Sequence, residues 1–196
     1  MDKLVFFFHR KDGLTRQEFF DHYLEDHAPL GMRVTVTMAG YTVNLVDTEG
    51  ADAYDAVTEV WTESSADFFD PAKSFATPED AQTLMADHDS FIGPYDAYVV
   101  DEQIVRGDAP DAPLGARGDE AKLVARYREG DAVPEPPAGA TRVVDQRVLQ
   151  SLMPDGPALA LIRNVWAPDV AALGPIGTDA YVVREYRQME PGGARR

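Results

Sequence analysis

Apolar and polar positions along the chain change period several times, and each change predicts an element. Residues 3–10 (KLVFFFHR) are an almost continuous apolar run, bracketed by Lys3 and by His9, Arg10 and Lys11, which predicts a buried strand guarded by charge against edge pairing. After the turn Lys11-Asp12-Gly13, Phe19, Tyr23 and His27 recur at four-residue intervals with Phe20 and Leu24 beside them, the stripe of an amphipathic helix. Its start is marked by Thr15 and Glu18, the reciprocal pair of a capping box. Pro29 has no N–H and crowds the carbonyl of Glu25, so the helix kinks or restarts there, with His27 ending the buried stripe at a break facing a cavity.

Residues 39–47 (AGYTVNLVD) and 56–62 (AVTEVWT) alternate and are rich in β-branched side chains, which predicts a hairpin across the polar loop 48–54. A helical region after Ser64 or Ser65 breaks near Pro71, and a second helix starts at Thr77, with Pro78, Glu79 and Asp80 in its first turn, and runs to about His88. Gly93 and Pro94 stop it, and residues 95–104 read as a fourth strand. The order to this point is βαββαβ.

Residues 106–118 (RGDAPDAPLGARG) have no apolar period and read as a linker. Beyond them the chain echoes itself: LVFFFHRKDG at 4–13 by LVARYREGDA at 123–132, Val60-Trp61 by Val165-Trp166, and DAYVV at 96–100 by DAYVV at 179–183. The offsets, 119, 105 and 83 residues, fall along the chain, so the second copy is shorter where each helix stood. Pro134, Pro136 and Pro137 stand in place of the capped helix, and only residues 169–173 offer a turn of the other. The expected organisation is therefore a complete unit over 1–105, a linker over 106–118, a degenerate copy of four strands with little helix over 119–190, and a tail over 191–196. Four strands with helices on one face leave the other face bare, and a second such sheet covers it, with the space between the two sheets a natural small-molecule pocket.

Composition narrows the function. With 34 acidic against 18 basic residues the net charge of −16 repels a phosphate backbone and an anionic membrane surface, so neither nucleic acid nor membrane is expected as a partner. The absence of cysteine excludes disulfides, thiolate metal sites and a cysteine nucleophile. The short N-terminal apolar run suits neither a signal peptide nor a membrane span, which gives a cytoplasmic expectation. No phosphate loop, GxGxxG, CxxC, HExxH or GxSxG motif occurs. The internal copy covers part of the sheet, so the chain is expected as a monomer or a homodimer.

Among the histidines, His88 shares an apolar face with Ala81, Leu84 and Met85, and either fills a core position or meets His27 across a pocket as acid to its base. His22 and Asp26, four apart, lack a third ligand and read as a solvated face, so no metal is expected. Glu59 and Trp61 share one side of their strand, and if that side is the pocket Glu59 is a candidate base or orienting partner; its counterpart in the copy is Asn164, beside Trp166, so the two halves have unequal sites. With Phe7 and Tyr98, Glu59 and Trp61 are the candidate substrate contacts. Arg126 and Arg128 replace Phe7 and His9, and either hold an anionic or phenolate substrate or, the preferred reading, are solvent-exposed where the covering helix is lost.

The stretch LTRQEFFDHYLEDHAPLG from Leu14 resembles the EthD family of the dimeric α/β barrel superfamily, with residues 3–105 agreeing well and 120–188 resembling the degenerate second copy of tandem members. The resemblance implies an α+β fold, a ferredoxin-like βαββαβ unit repeated in tandem to form the barrel within one chain, and a pocket between sheet and helices. It implies His27 as the motif histidine, and Tyr41, at the place of a site tyrosine in muconolactone-type isomerases, as hydrogen-bond donor to a carbonyl or enolate. The expected function is then cofactor-independent acid–base chemistry (dehydration, cyclisation or isomerisation) on an aromatic or polyketide-like molecule, with His27, Tyr41 and His88 as catalytic residues. The alternatives are a quinone-forming or haem-dependent monooxygenase and a non-catalytic ligand-binding accessory protein of a degradation cluster.

Overall fold

The apolar run at the start of the chain forms β1 (Asp2–Arg10), and the capping box starts α1 (Arg16–His22), whose N-cap Thr15 accepts from the Glu18 N–H. In the computed structural model, which describes residues 1–48, 50, 53–107 and 119–189, these are followed by a π-helical turn (Tyr23–His27) and α2 (Ala28–Val34). The predicted hairpin is β2 (Met38–Val46) with β3 (Ala56–Thr62), and the break at Pro71 separates α3 (Ser65–Phe68) from α4 (Pro71–Ser74). Then come α5 (Pro78–Phe91) and β4 (Ile92–Arg106), both longer than the pattern predicted because Gly93 and Pro94 lie inside the strand rather than before it. Gly93 is the residue that fits, since a Cβ there would lie 2.7 Å from the Arg10 carbonyl oxygen. The second half holds β5 (Ala121–Arg128), β6 (Arg142–Ser151), β7 (Leu159–Ala167), a 3-10 turn (Ala171–Leu173) and β8 (Ala180–Met189). Most of the expected linker, from residue 108, and the whole of the expected tail lie outside the described residues.

All eight strands close into one antiparallel barrel in the order β1-β3-β2-β8-β5-β7-β6-β4. The first half contributes β4-β1-β3-β2 and the second β8-β5-β7-β6, the same sequence of positions, joined at β2–β8 and β4–β6. Closure leaves no strand edge open.

Alternation sorts the side chains into three cores. Inside the barrel, Val5, Phe7, Val57, Tyr98, Val124, Ile162, Tyr181 and Val183 pack together, so the space expected as a pocket between the sheets is filled by side chains. On the outer face of the first half, Leu4, Phe6, Phe8, Val43 and Val60 are covered by the helices through Phe19, Phe20, Tyr23 and Phe91. On the outer face of the second half, Leu123, Ala125, Val143, Val165 and Ala180 lie beneath Ala140 and Leu173, in place of helices.

Arg126 departs from the expectation of solvent exposure. Its side chain points into the barrel, lies over the Phe7, Tyr54 and Tyr181 rings, and pairs with Asp179 at 2.6 Å. A guanidinium enters a core only with its charge met and its flat faces stacked, and both conditions hold.

Candidate functional site

His27 is placed by a local distortion of its helix. Because Pro29 removes one N–H, the helix widens by one residue: the Ala28 N–H donates to the Tyr23 carbonyl, five residues back. In a regular α-helix, residues five apart point about 140° away from each other, whereas the π turn brings His22 and His27 onto one side. Opposite them runs α5, capped by Thr77, whose hydroxyl accepts from the Asp80 N–H, and begun by Pro78. Its last turns present Asp87, His88 and Phe91.

Asp87 joins the two elements. Its Oδ2 lies 2.6 Å from His27 Nδ1 and its Oδ1 lies 2.8 Å from His22 Nε2. His22 Nδ1 lies 3.4 Å from Asp26, the pair singled out by spacing. With Nδ1–H donating to the carboxylate, the nitrogen of His27 left for a substrate is Nε2. The ring itself is enclosed: Tyr23 stacks on it at 5.3 Å between centroids, Phe91 lies at 4.9 Å, and one tenth of the side chain is exposed. Burial drives the His27 pKa down to about 4, against the opposing pull of Asp87. At neutral pH the group is therefore a neutral imidazole oriented by a carboxylate, the arrangement that serves a general base.

Of the three residues expected to be catalytic, His27 and His88 come together, with ring centroids 6.1 Å apart. His88 lies edge-on to Phe8 and Tyr95 and is about one quarter exposed, with burial again lowering its pKa. Tyr41 sits behind Tyr23 and is almost wholly buried; its hydroxyl is bonded to that of Tyr23, which also lies 2.5 Å from Thr58 Oγ1. Burial raises the Tyr41 pKa well above the ordinary phenol value and pushes that of Tyr23 up to about 12, so both hydroxyls are protonated.

The expected substrate contacts lie elsewhere. Glu59, Trp61, Phe7 and Tyr98 are on the inward face of the sheet, across it from His27. Glu59 sits at the centre of a polar cluster: Lys3 and Lys122 contact it at 2.6 and 2.7 Å, and Asn44, Gln146 and Asn164 donate to it. Lys3 lies over Trp61 and pairs with Glu102, while Lys122 lies over Trp166 and pairs with Glu185. Tyr98 donates to the Pro157 carbonyl, and Phe7 packs on Tyr54. These four side chains therefore lie on the opposite face of the sheet from His27.

Asp87, and its bridge from His22 to His27, are what sequence reasoning missed at this site. The sequence signal was Asp87 beside His88, one helical turn before Phe91, and His22 five residues before His27. Among the described residues no three His, Asp or Glu side chains are arranged to hold a metal. A cavity of about 630 Å³ lies in the second half, between the outer face of β5 and β7 and residues 131–137, not at His27.

Residues 11–94 match the EthD domain family. No curated protein matches the chain. Among solved structures, the fold is similar to that of an anthrone oxidase-like protein, at a TM-score of 0.56 and 10% identity over 100% of this chain and 96% of the other. It is also similar to a protein from Lactobacillus acidophilus NCFM provisionally named a monooxygenase, at 0.51 and 8% over 96% of each chain. At these identities the likeness is one of fold, an antiparallel barrel similar to that of dimeric α/β barrel proteins.

Proposed function

We propose that the protein is a cytoplasmic enzyme of small-molecule metabolism whose committed step is removal of a proton from an activated C–H or O–H of a hydrophobic aromatic substrate. His27 Nε2 is the base, Asp87 fixes its tautomer and steadies the imidazolium as it forms, and that imidazolium is the acid that returns the proton, with the His88 ring beside it as a wall of the site. Tyr41, bonded behind Tyr23, is a positioning residue for the aromatic wall. The single observation that carries this reading is the 2.6 Å contact between Asp87 and His27 inside an aromatic enclosure. Dehydration, cyclisation and isomerisation beside a carbonyl all begin with that proton transfer. So does oxidation of an anthrone by dioxygen, the activity named for one structural neighbour.

We read the two halves as copies of one ferredoxin-like unit, 1–105 and 119–190. The repeated strand order supports this, as do the matched pairs Lys3–Glu102 and Lys122–Glu185, each lysine lying over a tryptophan at the same place in its own half. Only one copy carries the histidines, so there is one acid–base site.

The test is hydrogen exchange. Anthrone incubated under nitrogen in D₂O at pH 7 is expected to take up deuterium at C10 faster with the protein than without it, and His27→Gln is expected to remove the acceleration. Equal exchange with the wild type and with H27Q contradicts the reading. Admitting oxygen then separates the reaction classes, since only an oxidase consumes it to give the quinone. The cavity remote from His27 favours a second reading, a ligand-binding protein without turnover, under which H27Q leaves both exchange and ligand affinity unchanged.

A further inference from the structure

The cavity in the second half occupies the same place on its sheet as the His27 site occupies on the first. At the offset of 119 residues, Leu4, Phe6 and Phe8 correspond to Leu123, Ala125 and Tyr127. In the first half Phe6 and Phe8 stack at 5.6 Å, and Phe8 fills the space toward Tyr23, His88 and Tyr95. In the second half an alanine stands where Phe6 was, and a phenyl ring's volume is missing from the floor. The helices that would press on that floor are missing as well, and the result is the cavity of about 630 Å³.

Its cover is a strap rather than a helix. Residues 131–137 cross the sheet with Pro134, Pro136 and Pro137, which have no N–H to leave unpaired. Arg163 on β7 binds both oxygens of Asp145 at 2.6 and 2.8 Å and donates its remaining arm to the Pro134 carbonyl at 2.6 Å. Arg106 holds the far end through the Pro137 and Ala140 carbonyls, and Gly139 packs so closely on Ala172 that a Cβ would meet its methyl at 3.0 Å. Such a cover, fastened at two points over an empty apolar floor, is what separates a binding cavity from a packing defect.

The wall chemistry selects the ligand. The floor is Leu123, Ala125, Val165 and Leu173, and Tyr127 contributes a hydroxyl. Of the two arginines along the cavity, Arg163 is already committed to Asp145 and Arg126 turns its guanidinium to the barrel interior and Asp179, while Asp131 and Glu135 add negative charge. An anion would meet repulsion with no free cation among the described lining residues. The volume falls within the range of small-molecule sites.

We propose that this cavity is a second ligand site, built for a neutral aromatic molecule that exchanges a hydrogen bond with Tyr127. The test uses two probes with the same rings and different charge, 2-naphthol, which is neutral at pH 7, and 2-naphthoate. Calorimetric titration of the full chain is expected to give saturable binding of naphthol, at least about tenfold tighter than naphthoate. Amide shifts should centre on Leu123, Ala125, Val165 and Ala180. Ala125→Phe restores the ring that the first half carries, and Gly177→Phe adds one at the mouth, where a Cβ meets nothing within 4 Å. Each is expected to weaken naphthol at least about tenfold without lowering the unfolding temperature by more than a few degrees. Should A125F fail to fold, G177F decides. Equal or tighter binding of naphthoate, shifts centred on α1 and α5, absence of saturable binding, or wild-type affinity in the folded variants would overturn the proposal.

Discussion

Asp87 and His27 lie 2.6 Å apart, Oδ2 to Nδ1, although 60 residues separate them along the chain. The contact exists because two local irregularities coincide: the π turn rotates His27 toward α5, and α5 continues past His88 far enough to bring Phe91 under the imidazole. With His22 on the other carboxylate oxygen, Asp87 is fixed at both ends. An imidazole held in this way has little freedom left to lose, which suits the proposed role of His27 as a base.

The buried imidazole makes stability depend on pH. His27 titrates at about 4 in the folded protein, below its ordinary value of about 6.5. Between these values the unfolded chain binds a proton that the folded chain refuses, so stability is complete above about pH 6.5 and falls as pH drops toward 4. The loss from His27 approaches about 3 kcal/mol, and His88, shifted in the same direction, adds to it. Urea unfolding at pH 7 and pH 5 is expected to show this loss, smaller in H27Q. An equal loss in H27Q would contradict it.

Glu59 holds the centre of the barrel. Burial alone would raise its pKa, but Lys122 and Lys3 outweigh burial and keep it well below the carboxylate range. Glu59→Gln leaves two buried ammonium groups short of a counter-charge and is expected to cost about 3–5 kcal/mol in chemical denaturation. Adding Lys3→Met and Lys122→Met should recover much of that loss. A cost below about 1 kcal/mol for the single variant would show that the cluster is not coupled.

Arg163→Met removes the bidentate pair with Asp145 and the bond to the Pro134 carbonyl. A loss of about 2 kcal/mol is expected, with faster cleavage at Glu135 by a glutamate-specific protease as the strap lifts. Unchanged cleavage would mean that the strap is held by its proline contacts alone.

Tyr23→Phe takes away the partner of both Thr58 and Tyr41 and leaves the Tyr41 hydroxyl buried without it. The expected cost is about 1–2 kcal/mol by thermal or urea unfolding, and the stacked His27 ring should keep its place. Loss of the folded state would indicate that the three hydroxyls act as a unit.

Much of this was legible in the chain. The capping box at Thr15 and Glu18, the hairpin of β2 and β3, the break at Pro71 and the four strands of the second half all follow from local chemistry. The offsets that pair Leu4 with Leu123 also pair Lys3 with Lys122, Trp61 with Trp166 and Glu102 with Glu185, so the polar centre of the barrel was written in the repeat. The contact of His27 with Asp87 was not. It depends on a helix widening that the four-residue stripe conceals, and on which face α5 turns once packed. Nor does the sequence say which face of the sheet a pocket uses: the helices pack on one side, and Glu59, Trp61, Phe7 and Tyr98 alternate to the other. Arg126 was misleading for a related reason: losing a covering helix opens the outer face, and Arg126 is on the inner one.

The protonation of His27 is read directly by a pH titration with nitrogen-detected correlation NMR of the imidazoles, in the wild type and in Asp87→Asn. A neutral ring at pH 7 with the proton on Nδ1, a midpoint near 4, and a change of tautomer population when Asp87 is neutralised are expected. A midpoint near 6.5, or a neutral ring carrying its proton on Nε2, would contradict the proposed role of His27 as the base.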